Sequence, residues 1–169
     1  MAIEPWEKST VRRMKGGRGG TGGLERGPNG YPLCRWCRLE TSPPRRTFCS
    51  DYCVHEWRMR TDPGYLRECL FARDKGVCAL CGIDTVDEYR RIRKLRGGKC
   101  GLALADWGAT RKRSSLWDAD HILPVAEGGG ECDLSNLRTL CLRCHRRETA
   151  ALRERSKAAR PGSSAGAAC

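Results

Sequence analysis

The sequence is short of the material from which hydrophobic cores are built. Phe, Tyr and Trp make up 7% of its 169 residues while charged side chains make up 31%, so apolar burial alone is thin. A small domain so composed needs metals or disulfides to hold it together. No apolar run reaches membrane-spanning length, which argues against a transmembrane helix and a membrane partner. The start, Met1-Ala2-Ile3-Glu4-Pro5, lacks a basic segment followed by an apolar stretch. No secretory signal is therefore expected, and the expected location is intracellular: cytoplasm or nucleoid, or the nucleus of a eukaryote.

Two things are abundant. The first is positive charge, with 32 Lys and Arg against 20 Asp and Glu and a formal net charge of +12. That excess points to a polyanionic partner, with nucleic acid foremost. The second is cysteine, of which there are 12. In a reducing compartment, paired Cys-x-x-Cys spacings read as zinc ligands rather than disulfides.

Composition divides the chain into four stretches. Residues 1–30 are basic and then glycine-dominated, and a disordered tail is expected. Residues 31–60 hold Cys34-Arg35-Trp36-Cys37 and Phe48-Cys49-Ser50-Asp51-Tyr52-Cys53. Their spacing predicts a four-cysteine zinc finger, with Cys49 and Cys53 facing one ion from a single helical turn. His55 is a weaker substitute for Cys53. Residues 61–157 are expected as the main domain, and 158–169 as a flexible tail.

Within 61–157, Thr61-Asp62-Pro63 is a helix start and Gly76 a stop. A second helix is expected from Thr85 to Leu95, with Val86, Tyr89, Ile92 and Leu95 on its buried side. Residues 99–114 read as a variable connection. A strand is expected over Leu116–Ile122, a turn at 127–130, a return strand over Leu137–Leu140 and a helix from Cys144 towards Lys157. The fold class is small α+β.

Two further cysteine pairs, Cys78-x-x-Cys81 and Cys141-x-x-Cys144, bracket this stretch and predict a second structural zinc that closes a long loop. Between and beside them lie Asp120-His121, Asn136 and His145. Phosphodiester hydrolysis needs an activated water and positive charge on the phosphoryl and leaving oxygens. His121 suits the general base, because imidazole changes charge near neutral pH. Asp120 and His145 suit a divalent cation held by few protein ligands, Mg²⁺ or Mn²⁺, with Ni²⁺ or Zn²⁺ as alternatives where imidazole is a ligand. Asn136 suits a scaffold that bonds backbone groups and orients His121, or else a ligand oxygen. On a strand, Asp120 and His121 point to opposite faces, and sharing one site requires a bend. Arg111, Lys112, Arg113, Arg143, Arg146 and Arg147 are candidates for phosphate contact, alongside Arg35, Arg38, Arg45 and Arg46 of the finger. Trp117 is expected in the core, and Cys69, Cys100, Cys132 and Cys169 as free thiols.

Asp120-His121-Ile122-Leu123-Pro124, Gly128-Gly129, Leu134-Ser135-Asn136-Leu137 and Cys141-Leu142-Arg143-Cys144-His145 together resemble the HNH (ββα-metal) endonuclease family. A wider match takes in Phe48-Cys49-Ser50, Arg60-Thr61, Gly76-Val77-Cys78-Ala79-Leu80-Cys81 and Trp117-Asp118-Ala119. It resembles the C-terminal nuclease module of the annealing helicases with a Ran-binding-type zinc finger. The chain has no Gly-x-x-x-x-Gly-Lys-Ser/Thr motor motif. The resemblance implies a treble-clef-like ββα-metal core with a four-cysteine zinc site, His121 as base, a metal on Asp120 and His145, and Asn136 in the middle position. It implies double-stranded or branched DNA as substrate. Where some relatives carry a further metal-binding histidine this chain has Thr149, so a three-histidine metal site is not expected. The alternative is a zinc-stabilised DNA-binding module without catalysis.

Overall fold

The computed structural model describes residues 23–159. Residues 1–22 and 160–169, which include most of both expected tails and Cys169, lie outside the described residues. The described chain is a small α+β structure with five α-helices and one two-stranded sheet.

Local chemistry sets the ends of these elements. Helix α1, Asp51–Thr61, begins where the Ser50 hydroxyl accepts the Cys53 amide at 3.2 Å. Helix α2, Pro63–Asp74, starts at Asp62, whose carboxylate accepts the Tyr65 amide at 3.1 Å, with proline at the first position. That amide bond holds the Asp62 carboxyl below the usual range. The helix ends at Lys75, left-handed with φ 55°, a residue before the expected Gly76. Helix α3, Thr85–Arg93, is capped by Asp84 through the amides of Val86 and Asp87. Strand β1, Trp117–His121, pairs with β2, Leu137–Cys141, and α5, Leu142–Ala158, follows β2 directly. The bonds Ile122 N–H to Asn136 O (2.8 Å) and Leu142 N–H to Leu116 O (3.0 Å) share one antiparallel register.

Three expectations are corrected. The variable connection over 99–114 is wrong: helix α4, Gly98–Asp106, occupies its first half and buries Cys100 and Leu104, with Trp107 buried just beyond. Those three fall at i, i+4 and i+7, an apolar stripe that the glycines at 97, 98 and 101 disguised. Leu95 lies beyond the end of α3 and is exposed. Cys49 precedes the α1 cap instead of sharing a helical turn with Cys53.

The chain divides into two compact units. One comprises residues up to Lys75 together with His121–Arg138. Here α1 packs on α2, and α2 packs on the short 3-10 turn Leu134–Asn136. Its buried side chains include Met59, Leu66, Leu70 and Leu137, together with Cys34 and Cys53. Arg60 is buried as well. It is paired with Glu56 at 2.6 Å and lies over the Trp36 ring at 4.3 Å, so its charge is both matched and stacked. The other unit comprises Gly76–Asp120 and the residues from Thr139. Its core is Cys78, Ile92, Cys100, Leu104, Trp107, Ala109, Leu116, Leu140, Cys141, Leu142 and Cys144. Four of these eleven are cysteines, as the scarcity of large apolar residues foreshadowed. Trp117 is buried, as expected. Among the described residues no helix is long and apolar enough to cross a membrane.

Candidate functional site

Both expected cysteine sets assemble. The sulfurs of Cys34, Cys37, Cys49 and Cys53 lie within 4.8 Å of one another, and so do those of Cys78, Cys81, Cys141 and Cys144. Measured pairs are 3.3 Å (Cys37–Cys49), 3.4 Å (Cys49–Cys53) and 3.8 Å (Cys81–Cys141). These are too long for disulfides. Thiolates about 2.3 Å from one tetrahedral zinc sit about 3.7 Å apart, so both sets fit zinc. His55 is engaged elsewhere, its Nδ1 lying 2.8 Å from the Tyr65 hydroxyl.

The two knuckles repeat one backbone design. The Arg38 amide donates to the Cys34 carbonyl at 3.0 Å, and the Gly82 amide to the Cys78 carbonyl at 2.9 Å. The Cys34 amide donates to Leu39 O and the Cys78 amide to Ile83 O. This curl turns amides inward onto the first sulfur. Burial pushes the Cys34 thiol up, but the amides of Cys37, Cys49 and Trp36 outweigh it and leave it lowered to about 7. Burial likewise opposes, and the amides of Cys141, Cys81 and Leu80 overcome it, at Cys78, which is also lowered to about 7. Burial raises Cys144, and the neighbouring thiols raise it further. Four protonated thiols cannot share such a space as ligands; a bound cation removes the protons and the conflict together.

His145 follows Cys144 in the first turn of α5. Its two ring nitrogens each face a carboxylate: Nδ1 is 3.5 Å from Asp118 Oδ2 and Nε2 is 3.8 Å from Asp120 Oδ1. Strand alternation explains the pair, because Asp118 and Asp120 are two apart on β1 and share a face. The 3.8 Å gap is below twice a metal–ligand distance of about 2.1 Å, so one ion can contact Asp120 and His145 together. Thr149, the position without a further histidine, returns its hydroxyl to the His145 carbonyl at 2.9 Å.

In the other unit, His121 Nε2 lies 3.1 Å from the Glu131 carbonyl oxygen. A carbonyl only accepts, so in a neutral ring this contact suits the proton on Nε2 and the lone pair on Nδ1. The Asn136 side chain bonds backbone groups of the preceding loop. Its Oδ1 accepts the Leu123 amide at 2.9 Å, and its Nδ2 donates to the carbonyls of Leu123 and Gly130, each at 2.9 Å. Gly129 lets the loop close there, since a Cβ would stand 1.9 Å from Leu123 O. Arg73 steadies the next segment by donating to Leu134 O at 2.6 Å and Leu137 O at 2.7 Å. Asp120 and His121 are joined by a peptide bond, so the cation pair and the imidazole base are neighbours in the chain.

The candidate phosphate-binding residues fall into two groups. Arg113 contacts Asp118, and Arg143 contacts Asp106 and lies 4.2 Å over the Trp107 ring. Arg111 donates to Gly97 O at 3.2 Å, and Arg147 reaches the Cys144 sulfur at 3.9 Å. Lys112 and Arg146 are exposed. Three contributors escaped the sequence reading: Asp118, the Glu131 carbonyl and Arg73. Only Asp118 carried a readable signal, the Asp-x-Asp repeat on a strand.

Residues 108–151 match the family HNH endonuclease. A crystal structure of the human ZRANB3 HNH domain aligns with 59% of this chain and 97% of that one at 32% identity, with a TM-score of 0.46. The chain contains an HNH module over residues 108–151 that resembles that of ZRANB3. The chain is also similar to "DNA annealing helicase and endonuclease ZRANB3" of Mus musculus, 37% identical over 154 residues, and to that of Homo sapiens, 33% identical over 154 residues. Each alignment takes in 78% of this chain and 14% of the relative, so the chain spans a small part of those proteins. Nuclease chemistry is the activity class that the HNH match and the ZRANB3 similarity support.

Proposed function

We propose that this chain is a metal-dependent DNA endonuclease, with His121 as general base and a divalent cation, Mg²⁺ or Mn²⁺, held by Asp120 and His145. The observation that carries the reading is the pairing of His145 Nε2 with Asp120 Oδ1 at 3.8 Å, where Asp120 directly precedes an imidazole whose Nε2 is bonded to a carbonyl. The Glu131 carbonyl keeps the His121 proton on Nε2, so Nδ1 takes a proton from the attacking water. Asn136 holds the loop from Leu123 to Gly130 and thereby fixes how His121 is presented. Asp120 and His145 contribute one anionic and one neutral donor and leave the other coordination positions for water and phosphate oxygens. The bound cation supplies Lewis-acid stabilisation of the phosphoryl and leaving oxygens.

DNA as substrate is supported by the +12 net charge and by the DNA-acting relatives. Exposed Lys112 and Arg146 are the proposed phosphate contacts, and each four-cysteine set holds a structural zinc. The finger over 31–60 and the nuclease domain over 61–157 are the proposed divisions of labour. The thiol-rich sites suit a reducing intracellular location.

The test is a supercoiled plasmid incubated with zinc-loaded protein across a panel of divalent metals. Conversion to nicked or linear DNA is expected with Mg²⁺ or Mn²⁺. Asp120→Ala and His145→Ala should each lower the rate by at least about a hundredfold while salt-sensitive DNA binding persists. No conversion under any metal, with DNA binding intact in all three proteins, would instead establish the non-catalytic DNA-binding module that the net charge alone allows.

A further inference from the structure

We propose that Asp118 is a positioning residue for the catalytic metal site, that it fixes the tautomer and orientation of His145, and that Arg113 braces it for this purpose. The inference rests on the cation assignment made above and adds to it two residues with a defined task.

The argument starts from the imidazole. A neutral ring carries one N–H, and a ring that gives Nε2 to a cation must keep its proton on Nδ1. An acceptor facing Nδ1 therefore favours the competent tautomer. Asp118 Oδ2 is the group facing Nδ1, at 3.5 Å. On the opposite edge Nε2 faces Asp120. The ring is thus flanked by two carboxylates of one strand face, one suited to the cation and one to the N–H.

Asp118 is not a loose surface acid. Its other oxygen, Oδ1, receives Arg113 Nη2. Arg113 is pinned twice more: its Nε donates to Ser115 O at 3.1 Å, and its carbonyl accepts the Tyr89 hydroxyl of α3 at 2.9 Å. A continuous series of contacts runs from Tyr89 through Arg113 and Asp118 to His145. Both side chains of the ion pair are about a third exposed or less (35% for Arg113, 27% for Asp118), so water competes only in part. Arg113 serves this brace instead of a phosphate, which separates it from exposed Lys112 beside it.

The experiment uses the full chain loaded with two zincs. Free Mn²⁺ is followed by electron paramagnetic resonance to obtain its affinity, and the His145 ring nitrogens are followed by ¹⁵N resonance with Mg²⁺ present. In the wild type, Mn²⁺ should bind and His145 should carry its proton on Nδ1. Asp118→Ala should weaken Mn²⁺ binding about 10- to 100-fold and shift the ring towards a tautomer mixture. Arg113→Ala should move both readouts the same way by less. Cleavage by Asp118→Ala should recover at saturating Mn²⁺. If Asp118→Ala loses zinc, Asp118→Asn of equal volume is read in its place, with a weakening of at least about tenfold expected. Wild-type Mn²⁺ affinity and an unchanged tautomer in the variant overturn the positioning role while leaving the cation site standing. A wild type that binds no Mn²⁺ dependent on Asp120 overturns the cation assignment, and this inference with it.

Discussion

The two cysteine sites begin alike and end differently. Each opens with the same knuckle, in which backbone amides converge on the first sulfur, and Cys34 and Cys78 are lowered alike. The return pairs differ in reach. Cys37 and Cys49 are 12 residues apart, whereas Cys81 and Cys141 are 60 apart. Closing the roughly fivefold longer loop costs the unbound chain about 1.4 kcal/mol more in lost freedom. The first site is thus local punctuation. The second gathers Cys78, Cys141 and Cys144 into the core that also holds Leu104 and Trp107, and its last cysteine is followed by His145. One four-cysteine arrangement is local in the first place and joins distant parts of the chain beside His145 in the second.

The largest effect should come from removing one ligand from each set. Structural zinc contributes on the order of 10 kcal/mol in small zinc domains, comparable with the whole stability of a typical domain. Cys141→Ser should therefore lose one zinc, abolish the buried Trp107 signature in near-ultraviolet circular dichroism and end cleavage. Cys37→Ser should also lose one zinc yet retain that signature and Mn²⁺ binding. Equal collapse in both variants would erase the distinction between the sites.

A smaller effect should appear inside the knuckles themselves. The fifth residue of each curl is left-handed: Arg38 with φ 63° in the first and Gly82 with φ 71° in the second. A side chain there costs about 1–2 kcal/mol, which only glycine escapes. Arg38→Gly gives up an exposed ion pair with Glu25, worth little, and should raise the stability of the first site by about 0.5–1 kcal/mol. Gly82→Ala should lower the second by about 1 kcal/mol. Thermal melts of zinc-loaded protein report both, and changes of the same sign would break the equivalence of the two curls.

Much of this was legible because metal ligands and turn residues act at fixed spacings. Eight cysteines, Asp120, His121, Asn136 and His145 stood out by type and order, and the helix start at Asp62 follows from a short side chain that caps an amide. What escaped depends on tertiary context. Helix α4 has glycine at its cap and interior and no side-chain cap, so its stability comes from burying Cys100 and Leu104 and not from propensity. Asp118 looked like one more acid until the strand placed it on the Asp120 face. The carboxylate partners of Arg113 and Arg143 are likewise set by the fold, Asp118 for the first and Asp106, 37 residues away, for the second. The Glu131 contact uses a backbone carbonyl, which every residue possesses and no sequence pattern marks.

The most direct test of the central claim is the rate of plasmid cleavage by His121→Ala, with two zincs per chain verified and Mg²⁺ or Mn²⁺ saturating. Loss of a general base predicts a fall of about 10²- to 10⁴-fold with zinc content and DNA affinity unchanged. Cleavage at the wild-type rate by that variant would contradict the assignment of His121 as the base.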